Sequence, residues 1–216
     1  MQDFRRVLIL CAHSDDQAIG AGGTIAKFSS AGVDVKTFIF SFGELSHPHL
    51  QEMEVRKTRV QESQDANKIL GGTSVIFLGM REGKFPEEYS ERKWYEKLLS
   101  HIHSFRPDCI LTHAPDDLHP DHRAVYKIVM DVYERGKLTC DLYAFDIWTV
   151  LNVKKRHVPC LVVDISQTFT KKIDALSAFR SQKVALFTLL WSVYAKAIFW
   201  GLRRGVRYAE VFYKLR

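Results

Sequence analysis

RVLILCAHSDDQAIGAGGTIA, residues 6–26, joins an apolar run to a charged turn and then to a glycine-rich segment. Val7–Cys11 is apolar at every position rather than at alternate ones, the pattern of a strand buried on both faces. Such a strand belongs at the centre of a parallel sheet with helices on either side. The turn that follows carries His13, Asp15 and Asp16, and two adjacent acids at a strand end repel each other with no gain to the fold. Gly20, Gly22 and Gly23 come too late after the strand, and with the wrong spacing, for a dinucleotide-binding turn; the acids before them would also repel a phosphate. The glycines instead predict close packing of the first helix.

Strand-like runs rich in β-branched and aromatic residues occur at 6–12, 33–40, 74–79, 108–113, 141–148 and 160–165. Helical patterns fill most of the gaps, at 20–31, 51–70, 90–105, 120–135 and 167–182. Gly32 and Gly71-Gly72 end the first two helices, and Pro107 blocks continuation of the third. This alternation predicts a single α/β domain over 1–216, with a mainly parallel sheet flanked by helices.

A hydrophobic fraction of 46% with 26% charged residues excludes a disordered or low-complexity chain. The formal charge of +6 is spread along the sequence except at Lys154-Lys155-Arg156 and around Arg203, Arg204 and Arg207, which read as solvated faces. Without zinc-finger spacing or a basic helix interleaved with aromatics, no nucleic-acid partner is expected. Cys11, Cys109, Cys140 and Cys160 are widely spaced and the N-terminus runs straight into a strand, so a reducing, cytoplasmic setting is expected. Val184–Leu202 is unusually apolar and aromatic, but Lys196 interrupts it. It reads as a packed helix or a homo-oligomer interface, with peripheral membrane contact through 184–207 as the alternative, since Arg203, Arg204 and Arg207 would suit an anionic surface.

In an open α/β sheet, ligands bind beyond the carboxyl ends of the strands. Both acid–histidine clusters fall on that rim, one after the first strand and the other in THAPDDLHPDHRAV, residues 112–125, after the fourth. His13 and Asp16 offer two metal ligands from one turn. Pro120 suits the first position of a helix, which puts Asp121 and His122 in its first turn and lets His122 reach across as a third ligand. Asp15 is then placed to take a proton from an attacking water, while His119, oriented by Asp121, can stabilise an oxyanion or protonate a leaving amine. The combination describes metal-assisted amide hydrolysis. Zinc suits these ligands, as do iron, cobalt and manganese. Asp116-Asp117 reads as a turn or helix cap, and His47, His49, His101, His103, His113 and His157 read as ordinary loop, helix or core histidines.

AHSDDQAIGAGGTIA resembles the first motif of the LmbE/PIG-L family of metal-dependent N-acetyl sugar deacetylases, AHPDDE before a glycine-rich stretch, and PDDLHPDHRAV resembles its second. The resemblance spans residues 7 to about 135, within a motif-bearing part of about 5–135. Fainter echoes lie at 43–44, 59–71, 181–182 and 205–212, where 136–216 would complete the sheet and the substrate side. It implies a Rossmann-like fold, with Zn2+ held by His13, Asp16 and His122, and Asp15 as general base. His119 would stabilise the tetrahedral intermediate with Asp121 as its partner, and Arg59, with Arg56 as a rival, would bind substrate. The implied reaction is removal of the acetyl group from an N-acetylglucosamine-like amino sugar or glycoconjugate. A membrane-docked deacetylase of a lipid-linked amino sugar and a catalytically weak sugar-binding module are the alternatives. The chain departs from the family pattern at Ser14, for proline, and at Gln17, for glutamate.

Overall fold

A computed structural model describes residues 4–46, 49, 51–91, 94–148 and 158–216. In chain order the elements are β1 (Arg6–Cys11), α1 (Asp16–Ser30), β2 (Asp34–Ile39), α2 (Glu52–Leu70), β3 (Ser74–Phe77), α3 (Phe85–Glu91), α4 (Trp94–Phe105), β4 (Cys109–His113), α5 (Pro120–Arg135), β5 (Asp141–Phe145), β6 (Cys160–Asp164), α6 (Phe169–Ser177), α7 (Lys183–Arg204) and β7 (Ala209–Lys214). The strands form one sheet in the order β3-β2-β1-β4-β5-β7-β6. The pairs β1–β2, β2–β3, β1–β4 and β4–β5 are parallel, and β7 runs antiparallel to both its neighbours.

β1 occupies the centre, as its uninterrupted apolar run requires. Val7, Ile9 and Cys11 point into a core shared with α1, α6 and α7, while Leu8, Leu10 and Ala12 point into one shared with α4 and α5. The chain moves outward from β1 to β2 in one direction and crosses to β4 in the other, so a crevice opens beyond the ends of β1 and β4. Both histidine-bearing motifs leave the sheet at this crevice.

The elements depart from the sequence expectation in several places: the helix expected over 90–105 is α3 and α4, and the strand expected over 141–148 ends at Phe145. The first helix begins at Asp16 rather than at residue 20, because its glycines are packing contacts and not breakers: an added Cβ at Gly20 would lie 2.4 Å from Phe145, and at Gly23 2.6 Å from Ile165. The helix expected over 167–182 stops at Ser177 and resumes as a short 3-10 turn at Arg180–Gln182. Ala209–Lys214 adds an antiparallel strand at a position where periodicity had suggested none. Its Glu210 accepts from the N–H groups of Gly23 (3.0 Å) and Thr24 (2.7 Å) and pairs with Lys172 at 2.6 Å, tying the C-terminal strand to α1 and α6. Cys11 and Cys109 are buried core residues, as expected. Among the described residues, no helix is long and apolar enough to cross a membrane. The Lys154–Arg156 cluster, His47 and His157 lie outside the described residues.

Candidate metal and catalytic site

β1 ends at Cys11, and the next four residues turn sharply into α1. Asp16 closes this turn by accepting the His13 backbone N–H at 2.7 Å. Asp15 occupies the N-cap position of α1, yet its carboxylate makes no capping hydrogen bond, so the ordinary structural use of an Asp-Asp pair does not account for it. Gln17 is buried, and its amide N–H donates to the Ser14 carbonyl (2.8 Å) and to Ser63 Oγ (3.2 Å). A glutamate at this position could not donate, so the departure from the family pattern bolts the turn to α2 with a neutral group.

The second motif enters from the opposite wall of the crevice. Pro120 opens α5 and His119 is its extended N-cap, as the sequence predicted. His119 Nδ1 accepts the Asp121 backbone N–H at 3.2 Å, which leaves Nε2 to carry the proton of the neutral ring. His122, in the first turn, reaches Asp16: Nε2 stands 3.3 Å from Asp16 Oδ1, while His13 Nδ1 stands 3.6 Å from Asp16 Oδ2. Asp16 thus lies between two imidazole nitrogens, one from the turn after β1 and the other from the first turn of α5.

Each of these imidazoles is held from behind by a carboxylate. His13 Nε2 meets Asp121 Oδ2 at 3.2 Å, and His122 Nδ1 meets Asp117 Oδ1 at 3.0 Å. A carboxylate on one ring nitrogen fixes the proton there and aims the other nitrogen's lone pair forward, the usual support of a metal-ligating histidine. His122 Nε2 is fully buried and has no hydrogen-bond partner, which in a structural histidine would be a net cost. Two imidazoles and a carboxylate have the donor chemistry of a divalent transition-metal site, but among the described residues the compact donor groups join His13 and His122 with His119, and Asp16 and His122 with His113, rather than His13, Asp16 and His122 as one set.

Three expectations need correction. The Asp121 carboxylate orients His13 and accepts the Gly83 N–H (3.2 Å); only its backbone N–H reaches His119. Asp117 is not a simple turn residue. Its Oδ1 accepts from His122 Nδ1 and the His119 N–H, and its Oδ2 from the N–H groups of Ile147 (3.1 Å) and Trp148 (3.3 Å). His113, read as an ordinary histidine, lies buried at the end of β4 and stacks on His122 with ring centroids 4.0 Å apart. Three groups of described residues bring possible donor atoms within 4.8 Å of one another: His13, His119 and His122; Asp16, His113 and His122; and His13, Glu82 and Asp121. The His113 Nε2 lone pair is already taken by the Ala12 N–H at 3.0 Å, which removes that atom from the ligand set.

The electrostatics follow from the many carboxylates. Burial opposes the charge on His13, but Asp121, Asp16 and Glu82 outweigh it and raise its pKa to about 10. His122 is raised to about 9 because Asp16 and Asp117 overcome its burial. Burial and the neighbouring His122 push His113 down to about 4, and burial with His13 and His122 pushes His119 down to about 4. Asp16 stays ionised well below the usual carboxylate range: His122 and His113 outweigh the effect of burial. The pocket is built for positive charge between His13 and His122, with neutral imidazoles to either side.

A cavity of about 120 Å³ opens on this cluster, lined by His13, Asp15, Asp16, Arg59, Glu82 and His119 among others. Arg59 is buried on α2 with Nη2 3.7 Å from Asp15 Oδ1, whereas Arg56 is half-exposed and bridges Glu52 at 3.5 Å. Sequence reasoning missed Glu82, whose carboxylate lies 3.6 Å from His13 Nε2 and accepts the Leu45 N–H. It stands in a loop without a motif and is brought to the rim only by the fold.

The chain is similar over nearly all its length to a diacetylchitobiose deacetylase of Thermococcus kodakarensis, with 29% identity covering 96% of this chain and 82% of that protein. It is also 28% identical to a Bacillus cereus protein named "Probable N-acetyl-alpha-D-glucosaminyl L-malate deacetylase 2", over 84% of this chain and 86% of the other. In fold it matches the crystallised N,N'-diacetylchitobiose deacetylase from Pyrococcus horikoshii with a TM-score of 0.84 and 24% identity, covering 99% and 85% of the two chains. Residues 8–133 match the family model described as GlcNAc-PI de-N-acetylase, and that span holds both walls of the crevice. The chain belongs to the GlcNAc-PI de-N-acetylase (PIG-L) family.

Proposed function

We propose that the protein is a zinc-dependent deacetylase that hydrolyses the N-acetyl group of an N-acetylglucosamine-type amino sugar, releasing acetate and the free amine. The observation that carries this reading is the pair of facing imidazoles, each backed by its own carboxylate, with Asp16 between them. His13, Asp16 and His122 would hold the ion, which when bound supplies an acidified water and polarises the amide carbonyl. Asp15, on the cavity wall and unused as a cap, accepts the proton of the attacking water. Arg59, with Nη2 3.7 Å from Asp15 Oδ1, offers donors to the sugar. His119, with Nδ1 committed to the Asp121 N–H, directs its Nε2–H to the developing oxyanion. The amine leaves as the C–N bond breaks, taking up the proton collected by Asp15.

The relatives' named substrates support a sugar-linked acetamide. Cys11, Cys109, Cys140 and Cys160 are all free thiols, in keeping with a reducing cytoplasmic setting. The test is amine and acetate release from N,N'-diacetylchitobiose and N-acetylglucosamine conjugates by zinc-loaded protein. Wild type turns over. Asp15→Asn retains zinc and loses about 100-fold or more in kcat. Full activity in that variant removes Asp15 from the mechanism.

A further inference from the structure

α7 leaves one face uncovered. Val184, Phe187, Trp191, Ile198 and Leu202 fall at helical spacing along a single stripe, and Val184 (84%), Phe187 (81%) and Leu202 (75%) are almost fully exposed. The opposite face is packed: Leu189, Val193 and Ala197 sit in the core. At 1.5 Å per residue the stripe runs about 27 Å. Isolated exposed apolar residues are ordinary, but a contiguous strip of this length marks a contact surface.

The charges of the stripe's own segment have one sign, while the carboxylates near its ends come from other elements: Asp164 shares a cavity lining with Arg204, and Glu62, Asp65 and Asp174 share one with Arg180. Arg180 and Lys183 stand at its start, Arg203, Arg204 and Arg207 at its end, and no aspartate or glutamate occurs between Asp174 and Glu210. Glu210 is buried against Lys172, so it does not offset them. The Arg203 guanidinium lies over the rings of Phe199 and Trp200, at 5.4 and 5.5 Å, which sets a cation beside the apolar strip. A second copy packed antiparallel on this face would bring the Lys183 end of one helix to the Arg203–Arg204 end of the other, with no carboxylate on either helix to neutralise them. No helix among the described residues can span a bilayer. A flat apolar phase bordered by negative charge satisfies both the stripe and its cations.

We propose that α7 is an interfacial helix that docks the protein on an anionic lipid surface, with Phe187 and Trp191 inserted among the acyl chains and Arg203 and Arg204 among the headgroups. The stripe begins two residues beyond Gln182, which lines the cavity over the metal site, so docking sets that end of the helix beside the bilayer. The inference stands on the helix alone and is tested without turnover.

The experiment is sedimentation of the full-length protein with large unilamellar vesicles, either phosphatidylcholine alone or an equimolar mixture with phosphatidylglycerol, at low and high salt. Binding is expected to the mixed vesicles only and to weaken with salt. Arg203→Gln with Arg204→Gln lowers the affinity about tenfold or more. Phe187→Ser with Trp191→Ser abolishes binding; both side chains are exposed, so the circular dichroism and thermal midpoint stay at wild-type values. Failure of wild type to bind anionic vesicles at low salt overturns the proposal, as does undiminished binding by the Phe187/Trp191 variant. A lipid-free dimer in analytical ultracentrifugation that the same variant dissociates also overturns it, because the stripe is then covered by a second copy.

Discussion

Asp117→Asn is the most informative single change outside the ligands themselves. The native carboxylate accepts four hydrogen bonds, two on each oxygen: His122 Nδ1 and the His119 N–H on one, the Ile147 and Trp148 N–H groups on the other. An asparagine presents one acceptor and one NH2, so whichever way the amide turns, the NH2 confronts donors. If it faces the 147–148 loop, two backbone N–H groups lose their acceptor, at about 1–3 kcal/mol each. For a chain of this length, at about 2–4 °C per kcal/mol, a combined loss of about 2–6 kcal/mol lowers the thermal midpoint by about 4–24 °C. If the NH2 instead faces His122, the imidazole shifts its proton to Nε2 and the lone pair aimed at Asp16 disappears. Metal affinity then falls about 10- to 100-fold, the usual effect of losing a supporting carboxylate. Competition for zinc with a chromophoric chelator, together with thermal unfolding of the metal-free protein, separates the two orientations. A variant within about 1 °C and about twofold of wild type in both assays would refute the role assigned to Asp117.

Glu210→Ala leaves the Lys172 ammonium buried without its partner and two α1 N–H groups without an acceptor. Denaturant unfolding should show a loss of about 3–5 kcal/mol, most of which Lys172→Met in the same chain restores. Gly23→Ala drives a methyl to 2.6 Å from Ile165 and should cost about 1–3 kcal/mol, measured by urea unfolding, while Gly32→Ala, with no neighbour within 4 Å, acts only through its positive φ. Burial holds the Lys196 amine down to about 8 from its ordinary 10.5, so between those pH values the unfolded chain binds a proton that the folded chain has given up. Folding stability therefore rises with pH across that window through Lys196, by about 2 kcal/mol, and the wild-type rise over Lys196→Met in urea titrations from pH 7.5 to about 10 measures it.

Much of the site could be read from residues because metal chemistry demands particular side chains at particular places. An unbroken apolar run places β1 at the sheet centre, and ligands collect beyond the ends of central strands, so the sequence alone puts His13, Asp15 and Asp16 on the rim. Pro120 did the same for His119 and His122 by opening a helix at a known position. What the sequence concealed was who holds whom. Asp117 and Asp121 are both short-range neighbours of histidines, and spacing alone suggested that Asp121 orients His119. The N-cap conformation at His119 instead offers it a backbone N–H and sends the Asp121 carboxylate across the crevice to His13. Glu82 and His113 were hidden because they carry no motif: one comes from a loop that folds over the rim, the other looks like any residue at a strand end. β7 was missed because it pairs antiparallel to both its neighbours, outside the parallel βαβ pattern of the rest of the chain. The glycines of α1 were read as close-packing positions, but their partners, Phe145 and Ile165, and the start of the helix at Asp16 come only from the fold.

The central claim is that His13, Asp16 and His122 form one metal site served by Asp15. Metal content by inductively coupled plasma mass spectrometry, paired with amine release from N,N'-diacetylchitobiose, should be measured on wild type, Asp15→Asn and His122→Ala. The account predicts about one zinc per chain in wild type and Asp15→Asn, little in His122→Ala, and amine release in wild type alone. Stoichiometric zinc retained by His122→Ala, or undiminished turnover in Asp15→Asn, would contradict it.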